Sequence, residues 1–305
     1  MAITLISHPN CYRHLAGDDH PEQPARLSAI NDQLIRSGME FIVQQRDATP
    51  ASKEDIYRAH SNLYVDEIYA KAPASGYIWL DPDTQMMQHS LDAALHAAGA
   101  GINAVDLVLE QANQQAFCSV RPPGHHATRD QAMGFCIFNN IAVAALHAIE
   151  QHKLERVAIV DFDVHHGNGT EDIFAGDERI LFCSSFQFPL YPNTGDVPQG
   201  DNIENLPLPA LCKPAVWREQ ILAHWLPRLQ AFKPQLILVS AGFDGHREDD
   251  MAQFLLTEDD YQWIAQQLKQ LADTHCQGRV VAMLEGGYAL SALGRSVVAF
   301  LKGLM

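Results

Sequence analysis

The chain has 305 residues, 47% of them hydrophobic and 19% charged, enough apolar content to bury a large core and to exclude disordered and fibrous classes. A formal net charge of −16 argues against a nucleic-acid footprint, because phosphate contacts need clustered Lys and Arg; a cationic ligand suits this balance better. Six cysteines (Cys11, Cys118, Cys136, Cys183, Cys212 and Cys276) are scattered without a C-x-x-C pair, which reads as reduced thiols packed as small apolar groups.

The opening MAITLISHPN lacks a basic region followed by an apolar stretch, and no apolar run approaches the roughly 18 residues of a membrane span. A cytoplasmic protein is expected, with no membrane or nucleic-acid partner; its oligomeric state is left open. Neither a repeat nor a long Pro/Gly/Ser linker divides the chain, so residues 1–305 are expected to form a single domain.

In chain order, ITLIS near the start, FIVQQ (41–45) and AFCSV (116–120) are the weaker strand candidates. VAIVDF (157–162), ILFCSS (180–185), LILVSAG (236–242) and VVAMLEGG (280–287) read as strands buried on both faces. Helical periodicity covers 89–113, 138–152, 214–230, 257–275 and 290–303, and Thr257 ahead of Glu258, Asp259 and Asp260 marks a helix start. The stretch 186–213, with five prolines, is expected to be an ordered surface loop near the site. Alternating strands and helices predict an α/β protein with a parallel sheet between helical layers, whose ligands bind beyond the carboxyl ends of the strands.

Four such ends carry polar clusters: RPPGHHA (121–127), DFDVHHGNG (161–169), AGFDGH (241–246) and EGGY (285–288). In extended chain, Asp161, Asp163 and His165 share one face while Phe162 and Val164 point into the core. Two buried carboxylates repel unless a cation joins them, although an ion-paired Asp with a satisfied core His is the other reading of this segment alone. Asp244 follows Gly242 and Phe243, a small-then-large step that brings backbone close to a centre. It completes an Asp-His-Asp set with open positions, suited to Zn²⁺ and also to Fe²⁺ or Co²⁺. His125 and His126, on a turn stiffened by Pro122 and Pro123, suggest proton transfer, with Asp161 as an orienting carboxylate. Tyr288, after Gly286 and Gly287, can donate to a developing oxyanion.

Together these motifs resemble the histone deacetylase family within the arginase/deacetylase fold, from HPEQPAR (20–26) through GFCIFNN (134–140) and DVHHGNGT (164–170) to EGGY. The resemblance implies a three-layer α/β/α fold around a mainly parallel sheet of about eight strands. It implies Zn²⁺ on Asp163, His165 and Asp244, His126 as general base and acid, His125 as its electrostatic partner oriented by Asp161, and Tyr288 polarising the substrate carbonyl. The backbone of Gly134 would accept from the scissile amide, and Phe135 and Tyr191 would wall the tunnel, Tyr191 standing where the family usually has Phe. K⁺ would lie at Asp161, Asp163, His165 and Ser184, and Arg26 near an acetate exit route. Asn168, where some members carry Asp, aligns the chain with class II enzymes and their bacterial relatives.

The implied reaction is direct hydrolysis of an N-acyl-lysine or similar alkylamine by metal-activated water. An acetylpolyamine is the alternative substrate. The position of an acidic polyamine gate, seven residues after Asp244, holds Met251, which disfavours that alternative, although Asp249 and Asp250 nearby are expected to be able to face the mouth. Of rival classes, an arginase-like two-metal ureohydrolase would recruit Asp161 and His125, and a binding protein would have no use for the Tyr and the His pair.

Overall fold

The computed structural model describes residues 3–17, 19–110, 112 and 114–305. Eight strands form one sheet: β1 (Ile3–Ser7) and β2 (Gln44–Asp47), then, after the β3–β4 hairpin (Tyr77–Trp79, Gln85–Met87), β5 (Gln115–Cys118), β6 (Val157–Asp161), β7 (Ile180–Gln187), β8 (Ile203–Leu208), β9 (Leu236–Ala241) and β10 (Val280–Leu284). The spatial order is β2-β1-β5-β10-β9-β6-β7-β8 and every pairing is parallel. Helices cover both faces. Ala25–Arg36, Glu258–His275 and Leu290–Leu304 pack together on one side, and Lys53–Ala59, Ser90–Glu110 and Asn140–Glu150 on the other. This is the three-layer α/β/α arrangement that βαβ alternation requires, because each crossover must return over a face of the sheet.

The four strong strand predictions hold, and β5, β6, β9 and β10 are buried throughout, as continuous apolar runs demand. Three elements differ. The strand expected over FIVQQ (41–45) starts later: Phe41 ends a 3₁₀ turn (Met39–Phe41) and β2 begins at Gln44, an exposed edge strand whose polar QQRD carries little pattern. The expected loop 186–213 contains β8, which carries Pro207; a proline is tolerated there because β8 is an edge strand. The expected helix 214–230 runs from Pro214 to Phe232 with a π turn at Ile221–Trp225, where Leu226 N–H bonds the Ile221 carbonyl. Pro227 has no N–H to offer the regular ladder, and the widened turn precedes it. Of the helix expected over 89–113, Ser90–Glu110 is helical, and residues 111 and 113 lie outside the described residues. The expected start at Thr257 is a cap: the Asp260 carboxylate accepts from both the amide and the hydroxyl of Thr257.

The strand order decides where the site lies. β5, β10, β9 and β6 are consecutive neighbours, so the clusters at 121–127, 285–288, 241–246 and 161–169 emerge side by side at one edge of the sheet. Among the described residues no helix is long and apolar enough to cross a membrane.

Candidate active site

The carboxylates of Asp163 and Asp244 and the ring of His165 converge, with ligand atoms from all three within 4.8 Å of one another and all three residues buried. His165 Nδ1 lies 3.1 Å from Asp163 Oδ1 and 3.2 Å from Asp244 Oδ2. Those spacings match the edge of about 3.3 Å that a tetrahedral ion with bonds near 2.0–2.1 Å imposes on its ligands. The alternation that begins in β6 continues past its end: Phe162 and Val164 are buried in the core while Asp163 and His165 face the cavity. Backbone amides fix the carboxylates. Gly286 N–H donates to Asp163 Oδ2 (2.8 Å) and Val164 N–H to Asp244 Oδ1 (3.0 Å). Gly242 is required here, since a Cβ at that position would stand 2.0 Å from Asp163 Oδ2. Burial pushes Asp244 up to about 6, reinforced by the neighbouring Asp163, whereas Asp163 is held below the usual range against its burial by His125 and His165. Two buried carboxylates this close stay ionised cheaply only with positive charge between them. The oxygen and nitrogen donors, their spacing and their burial therefore fit a divalent cation.

Beside this group stand His125 and His126, ring centroids 4.0 Å apart. His125 Nδ1 lies 2.9 Å from Asp161 Oδ2; burial would lower its pKa, but Asp161 and Asp163 outweigh that and hold it at about 10. His126 Nδ1 lies 2.8 Å from Asn168 Oδ1. An amide oxygen only accepts, so His126 carries its proton on Nδ1 and keeps the lone pair of Nε2 free. Burial, then the charges of His125 and His165, push it well below the ordinary histidine value. Two adjacent imidazoles are thus driven in opposite directions.

Both rings line a cavity of about 180 Å³ with Asp163, His165 and Tyr288; its walls include Phe135, Tyr191, Leu190, Pro123 and Met251, with Gly134 and Asp83 also in the lining. The Tyr191 ring meets His126 edge-on at 5.3 Å, and the Phe135 ring meets Tyr288 at 6.1 Å. Ser184 pairs with Asp161 in the β6–β7 register, and its buried hydroxyl has no hydrogen-bond partner among the described residues; nor does that of Ser240, which pairs with Asp161 from β9.

Residues 20–304 match the histone deacetylase domain family. The chain belongs to the histone deacetylase family. It is therefore a deacetylase, an amide hydrolase. The chloroplastic histone deacetylase 10 of Oryza sativa subsp. japonica is 39% identical, with 91% of this chain and 68% of that protein covered. A histone deacetylase-like amidohydrolase of Pseudomonas aeruginosa is 36% identical, with 95% and 78% covered. The crystal structure of the HDA15 HD domain superposes with a TM-score of 0.91 at 31% identity, covering 99% of this chain and 88% of that one, which fits the arginase/deacetylase arrangement of the sheet.

Two residues of this deacetylase's site, Glu285 and Asp83, escaped the sequence reading, and Arg26 was expected only near an exit route. Glu285 is buried at the end of β10 and its Oε2 accepts from Gly124 N–H (2.7 Å) and His125 N–H (3.1 Å), fixing the turn that presents the His pair. Asp83, from the turn of the small hairpin, accepts from Gly134 N–H at 3.1 Å. Arg26 is buried, donates to the carbonyls of Gly287 (2.7 Å) and Glu285, and lies 4.9 Å from the centre of the Tyr288 ring. The expectation that Asp249 can face the mouth is wrong: its carboxylate is turned inward onto backbone amides, where a buried carboxylate finds its hydrogen bonds. The signal available for Glu285 was its place at the end of an apolar strand; nothing local marked Asp83.

Proposed function

We propose that this deacetylase hydrolyses N-acyl alkylamines, acyl-lysine foremost, with one Zn²⁺ held by Asp163, His165 and Asp244. The observation that carries the reading is the convergence of that ligand set, two of whose members line one apolar-walled cavity with a lone-pair-bearing His126 and Tyr288. The bound cation supplies positive charge that polarises an acyl carbonyl and acidifies a water.

The chain's residues do the rest. Phe135 and Tyr191 flank the alkyl stem, and the Gly134 carbonyl accepts from the scissile amide N–H. His126 takes a proton from the attacking water at Nε2 as the water oxygen bonds to the acyl carbon. Tyr288 donates its phenolic hydrogen bond to the carbonyl oxygen as negative charge builds there. His125, kept protonated by Asp161, adds a fixed positive charge nearby. His126 Nε2 then delivers its proton to the amine nitrogen as the C–N bond breaks, releasing a carboxylic acid and a free amine.

Met251 in the cavity wall and the inward turn of Asp249 support acyl-lysine over an acetylpolyamine, because neither offers an acid to a second ammonium. The pairing of His125 with Asp161 supports one ion over an arginase-like pair, since both are engaged with each other. The unpartnered hydroxyls of Ser184 and Ser240 around Asp161 support a K⁺ held there by Ser184 and the carbonyls of Asp161, Asp163 and His165. We place the enzyme in the cytoplasm, as one catalytic domain spanning 1–305.

Metal analysis with kinetics tests the reading. One transition ion per chain, lost together with activity on chelation and restored by Zn²⁺, is expected on an acetyl-lysine peptide. Two ions per chain, or full turnover after chelation, would overturn it.

A further inference from the structure

Tyr288 sits on a Gly-Gly turn, which by itself leaves a phenol free to swing. The structure holds that turn from two sides. Arg26 grips the carbonyls of Glu285 and Gly287. Opposite, one buried carboxylate oxygen, Asp249 Oδ2, accepts from Tyr288 N–H at 2.6 Å and from Ala289 N–H at 2.9 Å. The second oxygen, Oδ1, accepts from Met251 N–H at 3.2 Å. A single side chain therefore ties the residue carrying the phenol to the residue that lines the cavity wall.

We infer that Asp249 is a positioning residue for Tyr288: it touches no substrate, and it sets where the phenolic hydroxyl stands relative to Asp163, His165 and Asp244. The inference rests on the oxyanion role proposed above for Tyr288. Its physical basis is the charge-assisted hydrogen bond. Two amides converging on one buried carboxylate oxygen define the direction of the Cα–Cβ bond of Tyr288 far more tightly than a glycine-flanked turn does. Asp249 lies five residues beyond Asp244, on the same loop, so the metal-ligand candidate and the phenol are referenced to one short segment.

The test is a double-mutant cycle on the metal-loaded enzyme with an acetyl-lysine peptide. Asp249→Ala is expected to lower kcat by about 100-fold with KM within about threefold, since the wall of the cavity survives while the donor is misplaced. Metal content should stay at wild type, and hydrogen exchange at the Tyr288 and Ala289 amides should accelerate. Asp249→Asn, which keeps one oxygen for those amides, should recover part of the loss. In a Tyr288→Phe background, Asp249→Ala should cost no more than about a further threefold, because the group it positions is gone.

Losses that multiply in full, or metal content falling in step with activity, would show general support of the fold and overturn the inference. Where Asp249→Ala fails to fold, the Asp249→Asn cycle decides by the same criterion. A near-wild-type Tyr288→Phe enzyme would sink the oxyanion role itself and this inference with it. A silent Asp249→Ala beside an impaired Tyr288→Phe would sink this inference alone.

Discussion

The amide oxygen of Asn168 stands 2.8 Å behind Nδ1 of His126, where His125 has the carboxylate of Asp161 at 2.9 Å. A neutral acceptor fixes the tautomer without stabilising the imidazolium, so His126 is held neutral while its neighbour is held charged. Asn168→Asp should raise the basicity of His126, because a carboxylate favours the protonated ring. The acid limb of the kcat/KM profile should then move to higher pH by about one unit or more. An unmoved limb would mean that another group controls it.

Gly134 has φ +57°, and a Cβ there would lie 2.4 Å from Cδ2 of His126. Gly134→Ala therefore strains the backbone and pushes the imidazole. A stability loss of about 1–2 kcal/mol in urea unfolding is expected, together with a fall in kcat larger than that loss explains. A variant with unaltered kcat would show that His126 tolerates displacement and is not the proton carrier.

Met251 contributes an apolar side chain to the cavity wall. Replacing it with Glu puts an anion where a polyamine substrate carries its second ammonium. The ratio of kcat/KM for N8-acetylspermidine to that for an acetyl-lysine peptide should rise about tenfold, the worth of one partly screened charge pair. No change in that ratio would place the selectivity elsewhere on the rim.

Acid should weaken the fold through groups outside the proposed chemistry. His60 is buried with Nδ1 2.8 Å from the Thr128 carbonyl while Nε2 accepts from Asn139 N–H, so protonation has no place; burial pulls its pKa down to about 4. His14 is likewise lowered to about 4 by burial, against Glu22. Glu22, despite its burial, is held at about 2 by Arg121, His14 and Arg26. All three are depressed in the folded state, so their contribution is full above the unfolded values. It declines as pH falls from about 6.5 toward 4 for the histidines, and from about 4.5 toward 2 for Glu22. Each histidine is worth up to about 3 kcal/mol across its interval. Urea unfolding at pH 7.5, 6 and 5 should show the decline, and His60→Gln should remove part of it; identical slopes in both proteins would contradict the assignment to His60.

The buried strands were legible because a strand covered on both faces is apolar over most of its length, as 157–160, 236–239 and 280–284 are. β2 was legible only in part, because it is exposed along its length, and β8 was not, because its proline made it read as loop although most of it is buried. The residues proposed as ligands and proton carriers were legible too, since Asp, His and Tyr placed just after apolar strands have little use as core.

What sequence alone determined, then, was local: which segments are strands, and which chemistry hangs from their ends. Only the tertiary structure decided which ends meet. The order β5-β10-β9-β6 brings together clusters up to 167 residues apart, counting from 121 to 288. It also turned Asp249 inward onto the Tyr288 amide, set Glu285 beneath His125, and chose a neutral partner's geometry for His126. The first two of these contacts depend on backbone N–H donors, which every residue but proline carries. No side-chain pattern announces them until the chain has folded.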